Sequence, residues 1–385
     1  MQKCPKWNLL VALLSCVIFL SGCVERKQLE KLGLMTAVGY DLEQENRIKG
    51  TAVVHKFDPL AKNLTKIITV DGNTSKAIRQ EQNLETDQRL VMGQLRCVIY
   101  SRELAKRGII QLVDALNRDP SIGNTVYLTV ADGDASSIFN TEQKNLKTDL
   151  GTYLYNLIKQ NVESEQLLSP TLHDFNHFFS DHGKDPVLPI LTIKNGTIII
   201  SGIALFKEDR MVDTLNSDEL FYLKVLSDKY QSGSFELGFT RSRFKKVIRK
   251  EEGIAYRTVY NKFYLNLDNI RSHSKIKLVD KQNLRYKIEI DLASILLEAT
   301  EPLDLSTPEN IKYIEKEANR EMEKEIKKLL LGFQKNGVDP VGFGEKYIAR
   351  TRGKRISKKG WKEKYKNAKF EVQVKNTITK TGSID

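Results

Sequence analysis

An uncharged apolar run close to the amino terminus decides where this chain can fold. It spans the 12 residues from Leu9 to Leu20 and follows two cations, Lys3 and Lys6. A run of about this length is typical of a signal peptide, whereas a membrane-spanning helix needs roughly 20 apolar residues. The remainder of the chain contains no second run long enough to cross a bilayer. The sequence therefore predicts a cleaved leader over 1–22 and a water-soluble body behind it.

A cysteine directly follows this leader. Leu20, Ser21, Gly22 and Cys23 form a lipobox, the pattern in which the thiol accepts a diacylglyceryl group and the small residues admit the signal peptidase. We therefore predict lipidation of Cys23, followed by a polar spacer that ends near residue 32 (23–32). Two acyl chains anchor a protein stably where one chain binds only marginally. The alternative is an uncleaved anchor with an unmodified thiol, which the lack of a charged stop-transfer flank disfavours.

The other cysteines and the net charge limit the class of protein. Once the leader and the lipidated thiol are accounted for, only Cys97 remains, in an apolar segment typical of a buried strand, so no internal disulfide forms. The net charge is +12. On the outer face of a membrane, anionic headgroups are a more natural counter-charge than nucleic acid. We predict no nucleic-acid partner.

The densest basic stretch runs from Arg350 to Lys366 and contains two aromatic residues four positions apart, Trp361 and Tyr365. This spacing predicts a short helix whose aromatic side chains pack into the core while its lysines face solvent. A patch that binds lipid headgroups or a partner protein is the alternative.

Few patterns in the chain point to catalysis or metal binding. His173 and His177 have a spacing that zinc sites on helices use, and His182 and Asp181 lie nearby. However, Asp174 stands where the H-E-x-x-H signature has glutamate, and phenylalanines surround the histidines, so a packed helix is the favoured interpretation. The chain has no phosphate-binding loop, dinucleotide fingerprint or G-x-S-x-G elbow. We predict no enzymatic activity, no metal and no cofactor.

Strand and helix patterns alternate over the first half of the chain, which predicts a mixed α/β domain. Asn195-Gly196 separates two β-prone runs, the strongest short signal for a hairpin with a type I′ turn. Further on, strand-like segments follow one another and predict an antiparallel sheet. They lie at 234–239, 244–249, 255–267, 273–279 and 284–292.

Two helices have clear boundary signals. Ser101 is placed to cap a helix that ends before Asp119. Ser306 and Glu309 have the spacing of a capping box at the start of a long amphipathic helix, and Gly337 is placed to end it. The apolar face of this helix is predicted to lie on a sheet, opposite a charged face that includes Glu315 and Glu323. An alternating segment over 370–378 predicts a final strand.

These patterns predict an α+β, multidomain protein with mixed and antiparallel sheets packed by helices, preceded by a cleaved lipoprotein signal peptide. An N-terminal α/β domain is expected over 33–195. A middle domain of antiparallel strands with one helix is expected over 196–280. A C-terminal domain with the long amphipathic helix and the final strand is expected over 281–385.

Short motifs along nearly the whole mature chain have an informative order. They are Glu30-Lys31-Leu32-Gly33 after Cys23, Gly39-Tyr40-Asp41, the segment 103–109, Asn117-Arg118-Asp119-Pro120, Asp185-Pro186-Val187-Leu188-Pro189, the segment 202–207, Asp339-Pro340-Val341-Gly342-Phe343-Gly344 and Trp361. Together they resemble the Ger(x)C family, the lipoprotein C subunits of nutrient receptors in spore-forming Gram-positive bacteria. The chain departs from the family pattern at Val24-Glu25, Gln94 and Asp213, which touch a spacer, a strand edge and a turn.

The resemblance implies a three-domain protein without enzymatic activity, anchored through lipid on Cys23 to the extracytoplasmic face of the spore inner membrane or the cell membrane. It also implies two polytopic membrane subunits as partners, one of them transporter-like, in a germinant receptor that starts germination when it meets a nutrient. The alternative is a solute-binding lipoprotein that captures the nutrient directly. For the fragment from residue 24 we expect calorimetry with a nutrient panel to show no binding.

Overall fold

The computed structural model of this chain describes residues 31–44, 47–56, 64–141, 146–249, 261–351 and 356–381. The predicted leader, Cys23 and most of the predicted spacer lie outside these ranges. Within them, no helix combines the length and the apolar character that crossing a bilayer requires.

The first half of the described chain is built on one mixed sheet. Its strands are β1 (Leu32–Leu42), β2 (Ile48–His55), β3 (Thr65–Gly72), β4 (Arg89–Val91), β5 (Cys97–Ser101), β6 (Tyr127–Ala131), β7 (Val187–Lys194), β8 (Thr197–Lys207) and β9 (Arg210–Leu215). They are ordered β3-β2-β1-β5-β6-β7-β8-β9, and β4 pairs with β1. The strands from β1 through β5 and β6 to β7 are parallel, whereas both flanks are antiparallel. The parallel centre is buried on both faces, as such sheets require.

Helices cover both faces of this sheet. They are α1 (Ser75–Leu84), α2 (Arg102–Arg107), α3 (Ile110–Asn117), α4 (Ala135–Asn140), α5 (Leu150–Glu163) and α6 (Leu172–Ser180). Helices α1, α2, α3 and α6 contribute to one hydrophobic cluster, and α4 and α5 contribute to a second one on the opposite face. Cys97 is a free cysteine at the centre of the second cluster and is fully buried, as predicted. Burial raises the pKa of its thiol to about 12.

A second sheet forms the rest of the described chain. Its elements are α7 (Ser217–Ser227), β10 (Phe235–Thr240), a 3-10 helix (Arg241–Phe244), β11 (Lys262–Asp280), β12 (Arg285–Ala299), α8 (Pro308–Asn336), α9 (Phe343–Arg350), α10 (Lys358–Tyr365) and β13 (Lys369–Thr381). The strand order is β10-β11-β12-β13, and only the pair β12–β13 is parallel. The hydrophobic cluster under α4 and α5 continues through α7 into this sheet, so one core joins the two halves.

Helix α8 closes one edge of the second sheet with its side chains. Glu315 Oε1 accepts the Ile378 N–H at 2.7 Å, Asn319 Oδ1 accepts the Asn376 N–H at 2.7 Å, and Glu323 Oε1 accepts the Val374 N–H at 3.0 Å. The three acceptors are four residues apart on the helix, a rise of about 6 Å, and the three donors are two residues apart on the strand, a rise of about 6.7 Å. The two spacings are similar, so each acceptor lies opposite one donor. Exposed strand edges template pairing with other chains, and at this edge the side chains of α8 already occupy three N–H groups of β13.

Several local predictions are confirmed. Strands β7 and β8 form the predicted hairpin, and Asn195 and Gly196 have φ values of 52° and 74°, as a type I′ turn requires. Helix α8 ends at Gly337 in the left-handed conformation, with φ 68°. The chain forms a final strand, β13, in the predicted place, and the α+β fold class is confirmed.

Other local predictions are wrong. The helix after Ser101 is two helices, α2 and α3, because Gly108 between them has φ 127° and interrupts the helical path. The cap of α8 is Thr307, whose Oγ1 accepts the Asn310 N–H at 3.3 Å, so the predicted capping box at Ser306 does not form. The predicted strand 244–249 is a turn with a single bridge from Ile248 to Leu303. Of the predicted strand 255–267, residues 255–260 lie outside the described residues.

The strands do not group along the predicted domain boundaries. The boundary at 195/196 falls in the turn between β7 and β8, and the boundary at 280/281 falls in the turn between β11 and β12. Both pairs are hydrogen-bonded neighbours in one sheet. The division into three independently folding domains stays a prediction, which limited proteolysis of the protein would test.

Candidate functional site

Two Asp-Pro motifs that lie far apart in sequence meet between the two halves of the molecule. Asp339 precedes α9, and Asp185 precedes β7. The Asp185 N–H donates to the Asp339 carbonyl at 2.9 Å, and the Asp339 N–H donates to Asp185 Oδ2 at 2.8 Å. This reciprocal pair joins the first sheet to the segment that enters α9. We call it the aspartate junction.

The carboxylate of Asp339 holds the start of α9. It accepts backbone N–H groups from Gly342 at 2.9 Å, Phe343 at 3.1 Å and Gly344 at 2.8 Å. The indole N–H of Trp361 donates to Asp339 Oδ2 at 3.1 Å. A helix begins with backbone N–H groups that have no partner inside the helix, and a carboxylate there satisfies them and complements the helix dipole. Asp339 is 1% exposed, so water cannot replace these bonds.

Two glycines allow the halves to approach closely beside the junction. A side chain on Gly183 would overlap the backbone of Gly344 and Glu345, and one on Gly344 would overlap Gly183 and the Trp361 indole. Glycine is the residue that permits such an approach of one backbone to another. The motif that ends in Gly344 is therefore constrained twice: it starts α9, and it must leave room for the loop at residues 181–185.

We expect Gly183→Ala to destabilise the protein by about 2 kcal/mol or more, because overpacking against backbone cannot be relieved by moving a flexible side chain. Gly332→Ala is the control, since Gly332 lies inside α8 with open space where its Cβ would stand. Alanine there should stabilise the helix by about 1 kcal/mol. Guanidinium unfolding of the two variants measures both effects, and a neutral Gly183 variant would contradict the close packing described above.

The basic stretch contributes its aromatic side chains to this core. Trp361 and Tyr365 are buried on α10, and the ring of Trp361 lies 5.6 Å from that of Tyr347 and 5.5 Å from that of Tyr365. Tyr286 donates its hydroxyl to the Phe343 carbonyl at 3.0 Å, which ties β12 to the same cluster. The predicted short helix with an aromatic core face is confirmed, but the prediction that its lysines face solvent is wrong for Lys362, which is buried, and for Lys358, which is half-buried.

Lysines from α10 surround the aspartate junction. Lys362 is buried, with its Nζ 3.7 Å from Asp185 Oδ1 and 3.6 Å from Glu208 Oε1. Lys358 donates to the Phe179 carbonyl at 2.8 Å, and burial lowers the pKa of its ammonium group. A buried carboxylate pair is tolerated where such positive charges offset its mutual repulsion.

The pKa of Asp339 is raised to about 7. Burial is the main cause, the hydrogen bonds from Gly344 and Phe343 oppose it, and the neighbouring charge of Asp185 raises the pKa further. The junction is built to hold two parts of the protein in a fixed arrangement.

The raised pKa of Asp339 predicts a pH dependence of stability. Between about pH 4 and pH 7 the folded protein retains a proton that the unfolded chain has released, so this group's contribution to stability falls as the pH rises. The slope is at most about 1.4 kcal/mol per pH unit. Asp339→Asn cannot titrate in this window. We expect the free energy of unfolding of the wild type, measured against that of this variant by denaturant unfolding, to fall from about pH 4 to about pH 7 and to change no further above it. A difference that does not change with pH would contradict the raised pKa.

The residues proposed from sequence as metal ligands do not form a site. His173 and His177 lie on successive turns of α6 with ring centroids 6.3 Å apart, and Phe175 between them packs edge-on against Phe206. Across the described ranges, no three His, Cys, Asp or Glu side chains are placed to hold a metal ion. Cys23 lies outside these ranges, and its lipidation stays a prediction.

A cavity of about 400 Å³, which no sequence pattern indicated, lies on the face of the first sheet covered by α1 and α3. Arg79 Nη1 lies 2.8 Å from Asp119 Oδ2 at this cavity. Burial raises the pKa of Tyr40, also in its wall, to about 12. The apolar part of the wall is formed by Met35, Val38, Ile78, Met92, Leu116 and Ile122. Tyr40 and Asp119 belong to motifs noted above, but Arg79 belongs to none, so sequence carried no signal that joins the three.

The chain matches two protein families and one solved structure. Residues 25–193 match the family described as Spore germination protein N-terminal domain, and residues 201–382 match Spore germination B3/GerAC like, C-terminal. The crystal structure of the GerBC protein superposes with a TM-score of 0.50 at 14% identity, covering 91% of this chain and 100% of that one. That similarity supports the fold.

Curated relatives match over most of their length. The chain is 27% identical over 366 residues to the spore germination protein GerQC of Bacillus cereus, covering 95% of this chain and 96% of the relative. It is 22% identical over 366 residues to the spore germination protein KC of Bacillus subtilis, covering 88% and 86% of the two chains. The similarity therefore includes both sheets and the segments that meet at the aspartate junction.

Proposed function

Since this chain belongs to the Ger(x)C family of spore germination proteins, we propose that it is the lipid-anchored subunit of a spore germinant receptor, needed for the assembly or signalling of the nutrient response. The single observation that carries the proposal is the match to GerQC over 95% of the chain. A match of that extent compares whole proteins, not one shared module.

The proposed anchor is the lipid on Cys23. The first described residue, Lys31, is eight positions further on. A chain of that length spans at most about 29 Å, so the first sheet would stay close to the bilayer surface. We propose the extracytoplasmic face of the spore inner membrane as the location. The proposed partners are two polytopic membrane subunits, one of them transporter-like.

The aspartate junction supports a role in assembly. It ties the segment before β7 to the start of α9 through buried hydrogen bonds, and the hydrophobic cluster that continues through α7 joins the same two halves. A body held in one arrangement can present surfaces on both sheets to membrane partners at a constant spacing.

The proposal is tested by deletion in the spore-forming host. We expect spores without this protein to remain viable and dormant but to lose germination in response to one class of nutrient, and the wild-type gene to restore it. Co-purification of the tagged protein from spore membranes should recover two polytopic subunits. Normal germination with every nutrient, in a strain that also lacks related subunits, would overturn the proposal.

A second candidate function is direct capture of a small solute, and the cavity beside Arg79 and Asp119 is the observation that favours it. Its volume of about 400 Å³ lies in the range of small-molecule sites. Calorimetry of the fragment from residue 24 with amino acids, sugars and nucleosides decides between the two functions. We expect no binding, whereas saturable heat that Arg79→Ala removes would establish capture.

A further inference from the structure

The two edge strands of the second sheet, β13 and β10, differ in whether their outward N–H groups have hydrogen-bond partners. Three side chains of α8 occupy the N–H groups of β13, as described above. At the opposite edge, β10 pairs with β11 on one side only. In the part of the chain that the structure describes, no group bonds to the outer side of β10. An open edge is a template for a further strand.

The register of β10 and β11 shows which residues of β10 direct their backbone N–H and C=O groups away from β11. The Arg241 N–H donates to the Asn261 carbonyl at 2.9 Å, so this pair faces inward. In an antiparallel ladder the bonding side alternates with each residue. Glu236, Gly238 and Thr240 therefore direct their N–H and C=O groups away from β11. All three residues are exposed.

Two adjoining cavities beside β10 form a groove at this edge, and Lys262 and Tyr264 of β11 also line the larger one. One part has a volume of about 470 Å³ and the next about 250 Å³, and both are lined by Gly238 of β10 and Glu321 of α8. The side chains of α8 form the far wall. Glycine within a strand marks a position where another backbone can approach closely. The groove has the shape and the backbone donors that an extended peptide requires.

The two parts of the groove differ in charge: Arg243, Lys262 and Lys324 line the larger part, whereas the smaller part is acidic and is where a basic side chain of the peptide would bind. The smaller part is lined by one lysine and five carboxylates, which are Asp218, Glu219, Glu236, Glu321 and Glu325. Glu321 and Glu325 are paired with basic residues of α8 and the 3-10 helix. Asp218 and Glu236 have no such cationic partner among the described residues. Burial, and then the charges of Glu325, Glu321 and Asp218, raise the pKa of Tyr222 at this end.

We propose that β10 and the flank of α8 form a docking site for an extended segment of a partner protein that adds a fifth strand to the second sheet. The segment carries lysine or arginine where it passes Glu236 and Asp218. A second copy of this chain, paired antiparallel with β10 about Gly238, would set Glu236 of each copy opposite Thr240 of the other, and its signature would be a dimer that depends on this edge.

The test uses the full chain in detergent and two labelled nine-residue probes, one alternating valine with lysine and one alternating valine with glutamate. Fluorescence anisotropy should show saturable binding of the lysine probe and at least tenfold weaker binding of the glutamate probe. Glu236→Pro removes one outward N–H and should weaken the lysine probe at least tenfold. An edge strand tolerates proline at such a position.

Two further variants separate the backbone from the charge. Glu236→Gln keeps the N–H and should weaken the lysine probe severalfold, and Asp218→Asn should do the same, with less effect at high salt. If Glu236→Pro fails to fold, Thr240→Pro replaces it. Equal binding of both probes, binding that is unchanged by proline, or no saturable binding would overturn the proposal. Sedimentation that shows a dimer lost in Glu236→Pro would assign the edge to a second copy instead and overturn it as well.

Discussion

Replacing Asp339 by alanine is expected to lower the free energy of unfolding by about 4 kcal/mol or more. The substitution leaves three backbone N–H groups at the start of α9 and the Trp361 indole N–H without their acceptor. Each buried donor left unsatisfied costs about 1–3 kcal/mol. Most domains are stable by only about 5–15 kcal/mol, so the variant should fold poorly or melt at a much lower temperature.

A matched control lies at another contact between the same two halves. The Asp213 carboxylate accepts a hydrogen bond from the Asn336 side chain at 2.5 Å, but Asp213 is exposed and Asn336 is only half-buried. Asp213→Ala should cost less than about 0.5 kcal/mol, because water replaces the lost bond. Guanidinium unfolding and thermal melting of both variants give the comparison. If Asp339→Ala stays within about 1 kcal/mol of the wild type, the junction does not hold the two halves together.

Elements governed by neighbouring residues were predictable from sequence. The turn at Asn195-Gly196 and the end of α8 at Gly337 depend on backbone conformations that few residues adopt, so the residue type is itself the signal. Helix α8 was predictable because its apolar positions recur at three and four residues. Its cap was misplaced by one residue because Ser306 and Thr307 are both capping residues.

Long-range contacts were not predictable in this way. Asp185 and Asp339 are 154 positions apart, and each was noted only as part of a motif. Glu315 and Glu323 were assigned to the solvent face of α8, yet both accept N–H groups from β13. A helical period shows which side chains share a face, but it does not show that a strand edge will lie beside the polar face. For the same reason, the sequence did not indicate that Arg79 lies beside Asp119 at the cavity.

Cys23→Ala is expected to release the protein from the membrane. If the protein is anchored as proposed, the sulfur of Cys23 carries the diacylglyceryl group. The described part of the chain has no helix suited to span a bilayer. Each buried CH₂ group of an acyl chain contributes about 0.8 kcal/mol to membrane binding, and an acyl chain buries many such groups. Their sum exceeds what a few surface lysines supply at about 1 kcal/mol each. Fractionation of spore membranes should find the wild type in the membrane and the variant outside it or retained as uncleaved precursor.

The consequence for germination follows from the loss of local concentration. A tethered subunit meets membrane partners at an effective concentration that a freely diffusing one does not reach, so the variant should reduce germination to the level of the deletion strain. Cys97→Ala is the control, because the Cys97 thiol is buried within the first sheet and has no route to lipid. This variant should stay in the membrane and support germination, with only a modest loss of stability.

Mass spectrometry of the native protein should find a diacylglyceryl thioether on an amino-terminal Cys23. An unmodified thiol with residues 1–22 still attached would remove the anchor, and with it the tether that the proposed role in the receptor requires.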